Sequence, residues 1–316
     1  MAKEILLFLL GLAFLISGGE LMIKGAVSLS KILSISAMVI GIVIVGFGTS
    51  VPELMASLFA VVKMNSPGLH FGNIIGSNIA NVLLILGLTA VINPIIFPAK
   101  PSKRDITFLI LSLVLLGIAF FGLKQIDVFY GMFLTLAMAV YIIWSFLKRD
   151  MQTEEIPELT GPWANVFFSL IMTVIGIAVM VGGADMMVDN AVKIAKDLNV
   201  SNTLIGLTIV AVGTSLPELA ASLMSALHKQ SDLAVGNIIG SNIFNAIFIP
   251  GLTAIANKIY NNKAIIIGES KLVEEFCVMG IVTAVFILFS IRGRIGRVAG
   301  VFFLIAYAVF IFYAAK

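Results

Sequence analysis

Two phrases occur twice in this chain, at nearly the same spacing. The phrase GFGTSVPELMASL begins at Gly46 and returns as AVGTSLPELAASL at Ala211, an offset of 165 residues. The phrase GNIIGSNIAN begins at Gly72 and returns as GNIIGSNIFN at Gly236, an offset of 164 residues. This duplication indicates that the chain folds as two similar halves, each of which presents the same pair of motifs.

The composition excludes a water-soluble protein. Hydrophobic residues make up 60% of the 316 residues and charged residues only 12%, with a mean hydropathy of +1.11, whereas soluble proteins carry about 25% charged residues. Apolar runs near the ~20 residues that cross a bilayer recur from end to end. The alternating segments of transmembrane strands do not occur. The chain is therefore predicted to be an all-α polytopic membrane protein.

We expect about ten transmembrane helices. The apolar runs place them at 4–23, 35–61, 69–92, 105–123, 127–147, 163–188, 202–227, 233–256, 272–290 and 297–314. The hydrophilic stretch near the middle divides the chain into a first five-helix repeat (1–148), a linker (149–162) and a second five-helix repeat (163–316). Because five is odd, the two repeats enter the membrane from opposite sides and are inverted.

Basic residues set the expected orientation. With the N-terminus outside, inner loops hold eleven of the 20 Lys and Arg residues, including all five Arg. Positive residues are enriched in cytoplasmic loops. We therefore expect a multi-pass plasma-membrane protein with both termini outside and the linker in the cytoplasm. There is no basic stripe for nucleic acid, and the single Cys277 excludes an internal disulfide or a cysteine-based metal site.

Each copy of the first phrase places one carboxylate, Glu53 or Glu218, inside an apolar segment. The neighbouring Pro52 removes a backbone donor and disfavours helix at the preceding residue. A broken helix here would present carbonyl groups beside the hydroxyl groups of Thr49 and Ser50, and such oxygen atoms suit a hard cation. The same pattern can also start a helix as a capping box. A cap alone, however, would not require an ionised acid that costs ~3 kcal/mol or more in the membrane.

The second phrase adds amides and hydroxyls. Ser77 and Asn81 lie four residues apart on one helix face, as do Ser241 and Asn245, and we expect these four side chains at the cation site. The glycines of this phrase favour close helix packing instead. They are Gly72, Gly76, Gly236 and Gly240. Asn78 and Asn242 are expected to point elsewhere, and His70 and His228 to lie in solvated loops.

These motifs resemble the two alpha repeats of the cation/calcium exchanger superfamily, and those of prokaryotic sodium/calcium exchangers in particular. The resemblance covers both halves. It implies ten helices in inverted repeats, broken at the ion site, and the movement of Ca²⁺ against Na⁺.

The resemblance also implies roles for individual residues. Glu53 and Glu218 would be the central ligands, and the carbonyl groups of Gly46 and Ala211 would coordinate sodium. Hydroxyl groups would come from Thr49, Thr214, Ser50, Ser215, Ser77 and Ser241. Gly46 stands where the family commonly has alanine. Asn245 stands where potassium-dependent exchangers have aspartate, so this chain is more similar to the potassium-independent type.

The function expected from the sequence is secondary antiport of Ca²⁺ and Na⁺ by alternating access. The ions and the lipid bilayer are the expected partners, and no cofactor is expected. Exchange of Ca²⁺ with H⁺, or of Ca²⁺ with Na⁺ in a potassium-dependent manner, is the alternative. A metal-dependent membrane enzyme would require a motif such as H-E-x-x-H, which is absent from the sequence. A channel would more naturally place a ring of identical acids in an oligomer.

Overall fold

The computed structural model describes residues 1–96, 103–147, 162, 165–198, 213–268 and 270–314. Within these ranges, nine helices are long and apolar enough to cross a membrane, and one shorter apolar helix accompanies them. In chain order they are α1 (Ala2–Leu33), α2 (Ala37–Lys63), α3 (Pro67–Ile92), α4 (Lys103–Leu123), α5 (Val128–Leu147), α6 (Val166–Asp197), α7 (Leu216–Leu227), α8 (Ser231–Asn261), α9 (Ser270–Arg292) and α10 (Arg297–Ala314). The all-α polytopic class is confirmed. The first part of the seventh predicted span and most of the predicted linker lie outside the described residues.

Helices α1 and α6 are longer than the apolar runs that predicted them, with 32 residues each. The sequence placed their ends near residues 23 and 188. Beyond those points α1 still buries Ala26 and Leu29, and α6 still buries Asn190 and Ala195. The helices continue because these side chains pack against protein, which a hydropathy count does not register.

The same two helices pack closely in antiparallel directions. A Cβ atom at Gly18 would lie 2.7 Å from the carbonyl oxygen of Gly176, and one at Gly11 would lie 2.7 Å from that of Gly183. Residue numbers rise along α1 as they fall along α6, so the two helices run in opposite directions. The absent side chains allow the backbones to approach, as is usual where membrane helices touch.

Four two-residue strands join the halves reciprocally. They are β1 (Ile95–Ile96), β2 (Gln125–Ile126), β3 (Ile265–Ile266) and β4 (Arg294–Ile295). Strand β1 follows α3 and pairs with β4, between α9 and α10, whereas β3 follows α8 and pairs with β2, between α4 and α5. Each connection thus pairs with its counterpart from the other half. This exchange, together with antiparallel α1 and α6, is the arrangement expected of inverted repeats.

Of the two histidines expected in solvated loops, His228 is exposed just after a helix end, whereas His70 is not in a loop. His70 lies inside α3 and is fully buried, with its ring 4.8 Å from that of Phe71. The Nε2 atom of His228 lies 3.2 Å from a carboxylate oxygen of Glu20. His70 is buried because the helix already begins at Pro67, a residue that suits the first turn of a helix, so His70 lies within α3.

Candidate ion-binding site

The two repeated acids are buried between the halves. Glu53 and Glu218 are each only 1% exposed, and they lie close enough to interact electrostatically. Neither carboxylate oxygen of Glu53 has a hydrogen-bond partner among the described residues, and neither does the Oε2 atom of Glu218. Buried polar atoms are nearly always paired, so three unpaired carboxylate oxygens indicate a place where another group binds.

A local break positions each acid. The helical path of α2 is interrupted at Ser50 (φ −84°, ψ 4°), and α7 begins directly after Ser215 (φ −91°, ψ 7°). Pro52 and Pro217 follow in the first turn, where they cannot donate the hydrogen bonds that the carbonyl groups four residues earlier would accept. Each acid therefore begins a new helical segment, whose N-terminal end favours negative charge. The predicted break is present at the first motif, and at the second a new helical segment begins after Ser215, while residues 199–212 lie outside the described residues.

Hydroxyl groups of α2 reach across to the second half. The Oγ atom of Ser50 donates to Oε1 of Glu218 at 3.3 Å. The Oγ1 atom of Thr49 donates to Oδ1 of Asn237 at 3.1 Å. In the opposite direction, the Oγ atom of Ser241 donates to the carbonyl oxygen of Gly46 at 3.3 Å. Motif residues from both halves thus form one cluster, which we call the central cluster.

The amides of the second phrase meet in this region. The Nδ2 atom of Asn81 donates to Oδ1 of Asn242 at 2.9 Å. Asn245 is fully buried, and neither of its side-chain polar atoms has a hydrogen-bond partner among the described residues. Asn81 begins the π-helical turn Asn81–Leu86, and Asn245 lies in the π-helical turn Phe244–Phe248. Such turns occur frequently at functional sites.

Asn242, which was expected to point elsewhere, accepts this bond from Asn81 of the other half. Asn78 was also expected to point elsewhere, and its amide nitrogen donates to the carbonyl oxygen of Ile74 in its own helix. The periodicity of α8 could not indicate the contact of Asn242, because its partner belongs to α3.

The other expected site residues are placed less uniformly. Ser77 and Ser215 are buried, and Ser215 lies beside Glu53 as Ser50 does beside Glu218. Thr214 is only partly buried, unlike its equivalent Thr49. Ala211 lies outside the described residues.

Gly46 has no room for a side chain. An added Cβ atom would lie 2.9 Å from the backbone nitrogen of Ser241 and 3.1 Å from the carbonyl oxygen of Asn237. Where the family commonly has alanine, this chain therefore uses glycine to bring α2 against α8. The backbone contact is tight at this position.

The packing role of the glycines holds for the second copy. Added Cβ atoms at Gly236 and Gly240 would lie 2.4 Å and 2.3 Å from the carbonyl oxygens of Met38 and Ile42. For Gly72 and Gly76 the role stays a prediction, because residues 203 and 207, which correspond to Met38 and Ile42, lie outside the described residues.

Two asparagines of the central cluster were not among the expected site residues. Asn73 and Asn237 stand at the same place in the two second phrases. Their amide nitrogens donate to the backbone carbonyl oxygens of Glu53 and Glu218, at 3.0 Å and 3.3 Å. The repetition of these asparagines in both copies was the available signal, because a role shared by both halves preserves the same residue type at both positions.

Buried acids, hydroxyls and amides gathered between two membrane-embedded halves define a membrane transport protein. The family model described as "Sodium/calcium exchanger protein" matches residues 3–147 and 168–316. The chain therefore belongs to the sodium/calcium exchanger family. Members of this family are cation/calcium antiporters that move ions as substrates, and not catalytic enzymes.

Solved structures and curated relatives agree with this membership. The chain is similar to the sodium-calcium exchanger NCX_Mj, with a TM-score of 0.81 and 31% sequence identity over 98% of this chain and 97% of that one. It is 37% identical to the "Putative antiporter CaxA" of Alkalimonas amylolytica, over 95% of this chain and 94% of the relative. It is 30% identical to the "Sodium/calcium exchanger MaX1" of Methanosarcina acetivorans, over 98% of both chains.

Proposed function

We propose that this protein exchanges Ca²⁺ for Na⁺ across the plasma membrane, and that the central cluster binds both ions in turn. The observation that carries the proposal is the pair of buried acids, Glu53 and Glu218, with three carboxylate oxygens that lack a hydrogen-bond donor among the described residues. Two ionised acids buried in a membrane protein repel each other and are costly. One divalent cation between them balances both charges and supplies the missing partner.

The ligands proposed for Ca²⁺ are the two carboxylates and the oxygen atoms next to them. Ca²⁺ binds six to eight oxygen atoms of carboxylate, carbonyl and amide groups, and the cluster is rich in such groups. The remaining proposed ligands for the two ions are Thr49, Thr214, Ser50, Ser215, Ser77, Ser241, Asn81, Asn245 and the carbonyl groups of Gly46 and Ala211. The polar atoms of Asn245 that lack a partner among the described residues support its inclusion.

Sodium coupling follows from the sharing of ligands. Na⁺ ions that occupy the hydroxyl and carbonyl oxygens would also need the charge of Glu53 and Glu218. Ca²⁺ and Na⁺ therefore could not be bound together at full occupancy. Such competition couples the two fluxes when the site opens to one side of the membrane at a time.

Independence from potassium rests on Asn245. An amide supplies a carbonyl oxygen but no negative charge, so the cluster lacks a third acid that would hold K⁺ beside Ca²⁺.

The termini are proposed to lie outside and the linker at 149–162 inside. With this orientation all five Arg residues fall on the cytoplasmic side of the expected helices, where positive residues are enriched.

The decisive experiment uses proteoliposomes that contain the purified protein. Uptake of radioactive calcium is measured with Na⁺ inside and K⁺ absent on both sides, and again after the Na⁺ gradient has been collapsed with a sodium ionophore. We expect uptake that depends on the outward Na⁺ gradient. A proton gradient imposed without Na⁺ should drive no uptake.

Two results would contradict the proposal. An absolute requirement for K⁺ would indicate potassium-dependent exchange, and uptake that follows a proton gradient but ignores Na⁺ would indicate Ca²⁺/H⁺ exchange. Liposomes of the same lipid prepared without protein provide the background level.

A further inference from the structure

Asn73 and Asn237 hold the two acid-bearing segments in the same way. Besides the bonds to the backbone of Glu53 and Glu218, each amide nitrogen donates to a hydroxyl group four residues further along the same segment. These hydroxyl groups belong to Ser57 (3.1 Å) and Ser222 (3.0 Å). The equivalent bonds in both halves mean that the amide nitrogens fix each acid to the neighbouring long helix.

The carbonyl oxygens of the same two side chains are used differently. Oδ1 of Asn237 accepts a hydrogen bond from Thr49 of the first half at 3.1 Å, and both residues are fully buried. The equivalent pair is Asn73 with Thr214. Both are described and only partly buried, and no hydrogen bond joins them.

Neighbouring backbone contacts follow the same division. Near Asn237, the glycines Gly236 and Gly240 lie directly against the carbonyl groups of α2. Near Asn73, the equivalent Gly72 and Gly76 are only partly buried. Residues 203 and 207, which correspond to Met38 and Ile42, lie outside the described residues. The closed contact therefore extends over two turns of α8, and the matching turns of α3 are more exposed.

Two further bonds join the halves at the far ends of the acid-bearing segments. The Nδ2 atom of Asn93, after α3, donates to the carbonyl oxygen of Ala226 in α7. The Nδ2 atom of Asn261, at the end of α8, donates to the carbonyl oxygen of Val62 in α2 at 3.1 Å. Asn93 and Asn261 are not equivalent positions in the two repeats, so the comparison of the halves rests on Asn73 and Asn237.

We propose that Asn73 and Asn237 are positioning residues that form alternating latches. Each amide nitrogen permanently holds its own acid, and each carbonyl oxygen accepts the threonine of the other half only when that face of the protein is closed. The bond between Thr49 and Asn237 is the closed latch in this structure, and the pair Thr214 and Asn73 is the open one. The proposal rests on the proposed function, since exchange requires the central cluster to open to one side at a time.

The latch is suited to this use because it is weak. One buried hydrogen bond contributes about 1 kcal/mol net, so closing one latch while opening the other nearly conserves free energy. The two conformations then differ little and can interconvert. The acids keep their own amide bonds throughout, because those bonds are made within each half.

The test is hydrogen–deuterium exchange of the full chain in lipid nanodiscs, in buffer without Na⁺ or Ca²⁺. Thr49→Val removes the donor of the closed latch and keeps the side-chain shape. We expect exchange to become about fivefold faster in segments 38–46 and 233–241, the shift that corresponds to one lost hydrogen bond. Thr49→Ser keeps the donor and should restore wild-type exchange.

Thr214→Val is the matched control, because it makes the same change at the equivalent position, where no latch is formed. It should not accelerate exchange in 38–46 or 233–241. The latch is refuted if Thr49→Val leaves both segments protected, if Thr49→Ser does not restore protection, or if Thr214→Val has the same effect as Thr49→Val.

A second variant guards against general unfolding, which would also increase exchange in the peripheral helix α5. If Thr49→Val affects α5, then Asn237→Ser, which removes the acceptor of the same bond, replaces it in the test. Segments 38–46 and 233–241 should again exchange faster, and segment 218–222 should do so as well, because the bonds to Glu218 and Ser222 are also lost. Because the experiment involves no transport, its outcome is separate from the proteoliposome result. If hydrogen–deuterium exchange refutes the latch while the wild-type protein shows Na⁺-driven uptake, only this inference is overturned. If the exchange result supports the latch while uptake does not depend on Na⁺, only the proposed coupling is overturned.

Discussion

At Glu53, the chain keeps a buried carboxylate with no donor among the described residues for either oxygen. Ser215 lies beside it. An arrangement of this kind is unfavourable for the protein alone, since a buried charge requires a partner. It becomes favourable when a cation is bound, and the affinity for the ion therefore depends on the charge of the acid more than on its shape.

We predict that Glu53→Gln and Glu218→Gln each abolish Ca²⁺ exchange. One charge interaction at contact distance is worth on the order of 4 kcal/mol at an effective dielectric constant of about 20, which corresponds to roughly a thousandfold in affinity. Calcium uptake into proteoliposomes should fall to background, with normal expression and gel-filtration behaviour. Glu20→Gln, at a partly exposed acid of α1, serves as the control and should retain exchange. Transport near wild-type level by either buried variant would remove that acid from the set of central ligands.

Asn245→Asp is predicted to change ion selectivity or the pH dependence of exchange. The side chain is fully buried, and neither of its polar atoms has a hydrogen-bond partner among the described residues. A third carboxylate near two others would bind a proton or an additional cation. Calcium uptake should be measured across a range of pH, with and without K⁺. Asn78→Asp, on the face of α3 that bonds its own helix, is the comparison, and identical profiles for Asn245→Asp and wild type would contradict the prediction.

At the scale of helices, α2 and α8 approach each other at Gly46. This contact puts the hydroxyl group of Ser241 within 3.3 Å of the carbonyl oxygen of Gly46. It also places Thr49 within reach of Asn237. The glycine therefore sets the separation at which the bonds between the halves form.

We predict that Gly46→Ala destabilises the protein. Its Cβ atom would lie 2.9 Å from the backbone nitrogen of Ser241, and such overpacking costs about 1–3 kcal/mol. The midpoint of thermal unfolding of the purified protein in detergent should fall by a few degrees. Gly182→Ala, at an exposed glycine of α6 with no neighbour within 4 Å in the described chain, should leave the midpoint unchanged or slightly higher, since alanine favours helix. Equal midpoints for the two variants would mean that α2 and α8 separate without cost.

The sequence predicted the helices and the acids but not the contacts between them. The duplicated phrases identified Glu53 and Glu218, because a charge in an apolar run stands out without any knowledge of neighbours. The bond between Asn81 and Asn242 was not predictable, since the two residues belong to different halves and the periodicity of one helix does not indicate its neighbours. The hydrogen-bond partners of Asn73 were not predictable for a similar reason. They belong to α2, and the periodicity of α3 does not indicate which residues of α2 lie beside it.

At the scale of the whole molecule, the halves are linked to each other as much as they are folded internally. The strand pairs β1 with β4 and β2 with β3 each take one strand from each half. The antiparallel contact of α1 with α6 does the same. Because these links are reciprocal, a movement that opens one face has a counterpart on the other, which is the geometric basis of alternating access in inverted repeats.

The two halves are predicted to expose equivalent loops on opposite sides of the membrane. With five spans in each half, the linker at 149–162 should be cytoplasmic, and the turn after α8 at Asn262 should be outside. The test introduces Glu155→Cys or Asn262→Cys into a Cys277→Ser background, because the native Cys277 is exposed. A membrane-impermeant maleimide applied to intact cells should label position 262 only, whereas position 155 should react only after the membrane is permeabilised. Labelling of both positions from the same side would exclude the five-plus-five inverted arrangement, and labelling of 155 alone from outside would preserve it but reverse its orientation.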